Sequence, residues 1–290
     1  MIILTVPASV MGHFAELIYK YADIRAFIGV VPGTGGSECY LKKSIEQGNV
    51  FFGIERVPAI ARLIKKGSCV KSVGYRGELH VAAIPHSHSG HCASLIEDVF
   101  DIPCITIKNY LSLSLTPSNP ILHTVRLRSL FEDWHEGIYY DRVPLFYEEW
   151  DNKSSELLIL CDEELRCICD ELKRIIPDIN VKTLREHYES YTIDEMTRKI
   201  SSIKAFKGLT SPVIKKEKGL IPDLSSRYFT SDFPFGLSII EQVGDMTGLE
   251  LRNIKETMEW YRNIASDNRE FRFSDFGITD VESLADYYMK

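Results

Sequence analysis

The hydrophobic pattern divides the chain in two. In the first third, short β-rich apolar runs alternate with segments of helical period. Residues 2–6, IILTV, form an apolar run that stops at Pro7, as a buried strand does. Val10, Phe14, Leu17 and Tyr21 then recur at helical spacing. AFIGVV (26–31) reads as a second strand, closed by PGTGG (32–36). SCVKSVGYRGELHVAAIP (68–85) predicts a strand pair turning near Arg76 and Gly77, HCASLIEDVF (91–100) a helix, and PCITIKN (103–109) a further strand. This β-α-β rhythm indicates an α/β sheet.

From Tyr110 onward helical periods take over, over 120–131, 154–176, 192–205, 234–246 and 253–264. Leu158, Cys161, Leu165, Ile168, Leu172 and Ile175 make one such stripe, and TIDE (192–195) is a capping box. In LTPSNPILHTVRL (115–127), Pro117, Ser118 and Asn119 break the chain. Ser118 or Asn119 can cap, and Pro120 suits a first helical position. His123 then shares a helix face with Leu127, Leu130 and Trp134. The expected architecture is therefore an α/β part, residues 1–108, followed by an all-α helical part, residues 109–290. No internal repeat or low-complexity segment interrupts it.

Composition narrows the function classes. With 290 residues, 44% hydrophobic and a net charge of −7 with scattered basic residues, the chain has a sizeable core and no basic face. Nucleic acid and an anionic membrane are not expected as main partners. The densest basic patch, IKKEKG (214–219), reads as a solvated loop. No apolar run reaches spanning length, and Met1 leads into IILTV without a basic n-region, so a cytoplasmic protein is expected. Seven cysteines without framework spacing read as reduced thiols, those at 161, 167 and 169 as packing residues.

The candidate chemistry is sparse. His86, His88 and His91 (HSHSGH) have the residue type of a zinc site, but the Ser/Gly content reads as a strand-to-helix loop, and no metal is expected. VPGTGG (31–36) is a glycine-rich loop after a strand without the G-x-G-x-x-G fingerprint. In SSRYFTSDFPFGL (225–237), Ser231 or Asp232 could cap the next helix, with Arg227 a surface charge; or Asp232 pairs a histidine and Arg227 a carboxylate. His123 is either a packed residue or a general acid/base.

SNPILHTVRL followed far downstream by SSRYFTSDFPFGL resembles the opine dehydrogenase family, the octopine/nopaline dehydrogenases. FFGIERVPAIARL (51–63), DWHEGIYYDRVPLFYEEW (133–150) and TRKISSIKAFKGLTSP (197–212) extend the resemblance from residue 2 to about 264. The resemblance implies a Rossmann-like domain, then a helical domain of the 6-phosphogluconate dehydrogenase C-terminal kind. It implies NAD or NADP as cofactor, and an amino acid and a 2-oxo acid as substrates. The amine and the oxo acid condense, and the imine is reduced by hydride. The family's catalytic histidine falls on His123 and its aspartate partner on Asp232. The carboxylate-holding arginine falls on Arg227, and Asn119 is placed to orient the bound pair. MIILTVPAS resembles a family strand and Val-Pro-Ala loop that lie downstream of the pyrophosphate fingerprint. About two βα units, each of roughly 30 residues, are therefore expected to be absent, leaving a partial Rossmann domain. Pro7, Gly33 and Gly35 remain as the expected cofactor contacts, and a homodimer is expected from the open sheet edge. Two other readings accompany this one: a non-catalytic short form that binds an amino-acid-like ligand or a partner chain, and a reductase of a 2-oxo acid without an amine.

Overall fold

The computed structural model describes residues 1–265 and 269–289. Strand β1 (Ile2–Leu4) leads through a single 3-10 turn into helix α1 (Met11–Tyr21). Strand β2 (Phe27–Val30) pairs parallel with β1, and short helices α2 (Ser37–Tyr40) and α3 (Lys42–Gln47) connect it to β3 (Val50–Ile54), parallel to β2. A hairpin of β4 (Ala59–Lys65) and β5 (Cys69–Tyr75) follows. Strand β6 (Leu79–Ile84) lies antiparallel to β3, and α4 (Ser89–Phe100) carries the chain to β7 (Cys104–Thr106), parallel to β6. The main sheet thus runs β1-β2-β3-β6-β7.

Two expectations change here. Residues 68–85 contain two strands separated at Arg76, but they do not pair with each other. Strand β6 reads LHVAAI and is buried along nearly its whole length, so it belongs inside the sheet. Strand β5 is exposed and closes on β4 across a three-residue turn, with Lys65 opposite Cys69. In α1 the buried stripe is Met11, Ala15 and Ile18, whereas Val10, Leu17 and Tyr21 stay 40%, 41% and 70% exposed. The two stripes lie side by side on the helix, and periodicity alone does not choose between them.

The second part contains α5 (Tyr110–Ser114), α6 (Pro120–Phe131), α7 (Asn152–Leu172), α8 (Leu184–Tyr188) and α9 (Ile193–Ser202). After it come a hairpin of β8 (Val213–Lys216) and β9 (Gly219–Pro222), then α10 (Arg227–Thr230). A π-helical turn, Phe233–Leu237, runs into α11 (Ser238–Thr247), followed by α12 (Arg252–Ile264) and α13 (Val281–Tyr288). Residues 214–218 are exposed as expected, but their alternation and the Gly219 turn make a hairpin on the helical domain instead of a loop. The α7 stripe Leu158, Cys161, Leu165, Ile168 and Leu172 is buried as its spacing predicts, but the helix ends at Leu172 and Ile175, expected in the stripe, is exposed beyond it; the capping box at Thr192 and Glu195 forms. All seven cysteines are free.

One hydrophobic core runs through both parts, from Ile28 and Phe51 of the sheet to Leu127, Leu165 and Leu284 of the helices. The C-terminal helix α13 returns to the sheet domain, where Asn109 Nδ2 donates to the Tyr288 carbonyl at 2.9 Å. Beside it lies Glu38, fully buried, whose Oε1 accepts from the Ser114 and Tyr288 hydroxyls, both at 2.5 Å. Its Oε2 has no partner among the described residues. Burial raises the Glu38 pKa above the ordinary 4.5. The unfolded chain therefore releases a proton that the folded chain retains. The stabilisation is complete below 4.5 and is lost as pH rises towards the folded-state value. Glu38→Gln is expected to flatten this slope, on the side where pH rises above 4.5, in thermal melts. Parallel melting curves for the two proteins across that range would show that Glu38 is not the group responsible.

Candidate active site

Helix α6 starts at Pro120, whose fixed φ and missing N–H suit a first turn. Asn119 occupies the N-cap position, yet its side chain makes no capping bond. The cap is the Asn119 carbonyl, which accepts from the His123 N–H at 3.1 Å. This places the His123 ring one turn into the helix, facing the π-helical turn. There Nδ1 meets Asp232 Oδ2 at 2.8 Å across 109 residues of sequence. Asp232 precedes Phe233 and Pro234 but makes no cap bond with its side chain, so the capping reading gives way to the histidine pairing. A carboxylate gains more from a charge-assisted bond inside a cavity than from one backbone N–H.

The other ring nitrogen is also occupied. His123 Nε2 lies 2.7 Å from the Tyr147 hydroxyl. Burial raises the Tyr147 pKa well above the usual phenol value, so the hydroxyl keeps its proton, and a ring whose Nδ1 proton is aimed at the Asp232 carboxylate leaves Nε2 to accept it. Tyr228 packs edge-on against the ring with centroids 4.8 Å apart. The His123 and Asp232 side chains keep 12% and 16% of their surface exposed, so the pair is reachable but largely out of water.

Tyr147 had no motif of its own. It lies in the aromatic-rich stretch 133–150, outside any regular helix, and a buried arginine places it. Arg126, on α6 and 0% exposed, donates through Nε to the Phe146 carbonyl at 2.9 Å. Its Nη2 donates to the Leu145 and Glu149 carbonyls at 3.2 and 2.7 Å, and its Nη1 to Asp151 and Ser154 at 3.1 and 2.9 Å. The loop is thereby wrapped around one guanidinium, and Phe206 stacks on the Tyr147 ring at 4.2 Å.

His123 and Tyr147 line a cavity of about 270 Å³. Ser118 and Asn119 border it from the turn before α6, and Pro32 and Thr34 from the glycine-rich loop after β2. Gly33 sits so close to Gly53 and Tyr110 that an added Cβ would lie 2.6 Å from the Gly53 Cα and 2.7 Å from the phenol oxygen. Gly35 has φ +80° and faces Ala8, next to Pro7, so the loops after β1 and β2 adjoin. Pro7 itself is exposed. Arg227 is not brought into the lining. It is exposed on α10 and forms no ion pair among the described residues, while its neighbour Tyr228 lines the cavity. A larger cavity of about 520 Å³ lies alongside, away from the histidine.

The histidines at 86, 88 and 91 do not converge. His86 Nδ1 bonds to the Ser89 hydroxyl at 3.2 Å, and the His91 ring packs on Phe27 at 5.0 Å. Among the described residues no group of three or more His, Cys, Asp or Glu side chains is placed to hold a metal ion. No helix among them is long and apolar enough to cross a membrane.

A Rossmann-like sheet domain joined to a helical domain, with a His–Asp pair facing the loops after the parallel strands, is the architecture of a two-domain dehydrogenase. The chain belongs to the NAD/NADP octopine/nopaline dehydrogenase family, whose alpha-helical domain model matches residues 106–265. It is similar to an uncharacterized protein of Sinorhizobium fredii, 26% identical over 280 residues, covering 90% of this chain and 74% of that one. It is also similar to the octopine dehydrogenase of Mizuhopecten yessoensis, 22% identical over 273 residues, covering 89% of this chain and 68% of that one. Among solved structures, octopine dehydrogenase in complex with NADH and L-arginine superposes with a TM-score of 0.84 at 20% identity, over 98% of this chain and 77% of that one.

Proposed function

We propose that this protein reduces the imine formed between the amine of an amino acid and a 2-oxo acid, giving a secondary-amine dicarboxylate. On this reading residues 1–108 form the cofactor side and 109–290 the substrate side. One observation carries it: His123 stands in a cavity with one ring nitrogen on a carboxylate and the other on a neutral phenol. Turning C=N into CH–NH takes one hydride and one proton. NAD or NADP, when bound in reduced form, supplies the hydride. The nicotinamide end is placed against the loops that carry Pro7, Gly33 and Gly35, which adjoin at the C-terminal ends of the parallel strands β1 and β2; Pro7 is exposed there, while Gly33 and Gly35 are buried and shape the loop from within, Gly33 packed on Gly53 and Tyr110. The relative solved with NADH and L-arginine supports both the cofactor class and an amino acid as the amine partner.

The chain's own residues manage the proton. Asp232 fixes the tautomer and stabilises the doubly protonated ring, so His123 gives a proton from Nε2 in the reductive direction and takes it back in reverse. The Tyr147 hydroxyl keeps that position filled and moves aside or relays the proton when substrate arrives. Asn119 borders the same turn and orients the bound pair. Arg227, outside the cavity lining but next to Tyr228 in the chain, is the position at which the family resemblance puts the arginine that holds a substrate carboxylate by its two-pronged donor face. Arg227→Met is expected to raise KM about tenfold or more, with a smaller change in kcat. A KM unchanged for every substrate would remove Arg227 from the site.

The deciding experiment follows NADH oxidation with amino acid and 2-oxo acid together and with each alone. A rate that requires both supports the condensation. A rate with the oxo acid alone makes the protein a 2-oxo acid reductase. No rate and no NADH binding, with amino acid binding retained, makes it a non-catalytic ligand-binding form.

A further inference from the structure

The last helix reaches back across the chain to a carboxyl that the dyad does not use. Glu38 lies in the first turn of α2, just past the glycine-rich loop 31–36, and is fully buried. Helix α13 fastens on it twice. The Tyr287 hydroxyl donates to the Glu38 carbonyl at 2.8 Å, and the Tyr288 hydroxyl donates to its Oε1 at 2.5 Å. The segment leading into α13 adds further ties. The Phe271 N–H donates to the Pro234 carbonyl at 2.9 Å, in the π-helical turn that follows Asp232. The Phe271 ring covers Gly36, where an added Cβ would lie 2.2 Å from it. Residues 271–288 therefore form a strap from the π-helical turn over the end of the glycine-rich loop. The start of that loop hangs on the same cluster: the Gly33 carbonyl accepts from the Tyr110 hydroxyl at 2.7 Å and the Ser37 hydroxyl at 3.3 Å. Pro32 and Thr34 of the loop line the His123 cavity.

The seat of the strap suits a neutral carboxyl. Glu38 Oε1 takes two hydroxyl donors and Oε2 none. Lys42, the cation of the neighbouring α3, spends its ammonium on the Phe276 carbonyl at 3.0 Å. The other titratable groups facing Glu38 are Cys39 on α2, Tyr110 on α5, and Tyr287 and Tyr288 on α13. Burial holds the thiol above its ordinary 9.0 and the three phenols above 10.0, so each keeps its proton where a carboxyl ionises. An ionised Glu38 would sit here without a counter-charge, and opening the strap to water relieves it.

We propose that residues 271–288 are a pH-released strap, docked while Glu38 carries its proton and let go when it ionises, so that the glycine-rich loop beside the His123 cavity loosens as pH rises. This goes beyond the imine-reductase reading and does not depend on it. In the open state Glu38 meets water and ionises near the ordinary 4.5, whereas in the docked state it ionises higher. Opening thus releases one proton between those two values, and the open fraction grows about tenfold per pH unit there before levelling off.

Hydrogen exchange of the full chain, read by mass spectrometry in a pH series rising from 4.5 and corrected for intrinsic rates, tests the strap. Segments 281–288 and 33–40 are expected to share one protection, at least about tenfold below that of α7, and to lose it together by about tenfold per pH unit. Glu38→Gln, a neutral isostere, is expected to keep both segments at one level through the series. Protection of α13 equal to that of α7 would mean that it opens only when the whole chain unfolds, and would overturn the strap. So would a flat wild-type profile, a loss in α13 that leaves 33–40 protected, or an unchanged slope in Glu38→Gln. Should that variant not fold, Tyr288→Phe removes one donor to Oε1 and is expected to lower the protection of both segments about tenfold at pH 4.5 already; no change in it would overturn the strap equally.

Discussion

Replacing His123 with alanine is expected to lower turnover by about 10²–10⁴ while the protein still folds. The fold survives because the ring lies at a cavity wall, 12% exposed, and its loss opens space continuous with that cavity. Turnover does not survive, because His123 is the one imidazole that lines the cavity among the described residues and the one group there held by Asp232, at 2.8 Å. The neighbouring variants sharpen the test. Asp232→Asn turns an acceptor into an amide that also fits the opposite tautomer, so most of the His123→Ala loss is expected from it. Tyr147→Phe removes one hydroxyl from Nε2 and leaves the aromatic packing on Phe206, so a loss of about tenfold or less is expected. Steady-state kinetics with both substrates checks the set. Turnover of His123→Ala within about threefold of wild type would assign the proton transfer elsewhere, since a positioned acid/base contributes far more than that.

Arg126→Met is expected to destabilise the protein by about 3–5 kcal/mol, the cost typical of removing one member of a buried charged network. Methionine fills similar space, so the effect comes from the stranded partners and not from a cavity. All five N–H donors of Arg126 are used, three of them on the carbonyls of Leu145, Phe146 and Glu149. Those carbonyls belong to a loop without regular structure, which has no ladder to fall back on. Asp151, the charged partner, is 51% exposed, so its Coulomb attraction is a minor share and the carbonyl bonds dominate. A loss of this size is a large part of the ordinary margin of about 5–15 kcal/mol. Urea denaturation measures it, and a change below about 1 kcal/mol would mean that the loop holds itself, since even one unsatisfied buried group costs that much. Because the same loop carries Tyr147, the variant is also expected to show the Tyr147→Phe defect.

Much of the local structure was legible from the chain. Pro120 marked the start of α6, Thr192 and Glu195 marked that of α9, and the α7 stripe marked its buried face. His123, Asp232 and Asn119 were singled out by residue type and resemblance. Tyr147 and Arg126 were not. A tyrosine in an aromatic, charged stretch and an arginine on a helix look like surface residues until packing shows Arg126 with no exposed area. The reading of 68–85 as one strand pair failed for a related reason. Both segments have strand character, but their partners, β4 and β3, are chosen by how much of each face can be buried.

The sequence by itself determined most helical and strand segments, where several helices begin, and which residues can carry a proton or hold an anion. Those properties depend on neighbours within a turn or two, through backbone geometry, capping and side-chain chemistry. Only the tertiary structure decided which groups meet: Asp232 with His123 across 109 residues, Tyr147 across 24, and Ser114 with Glu38 across 76. Such pairings follow from packing whole elements against one another, which no local period encodes. LTPSNPILHTVRL set the direction of His123, and the folded chain supplied what it points at.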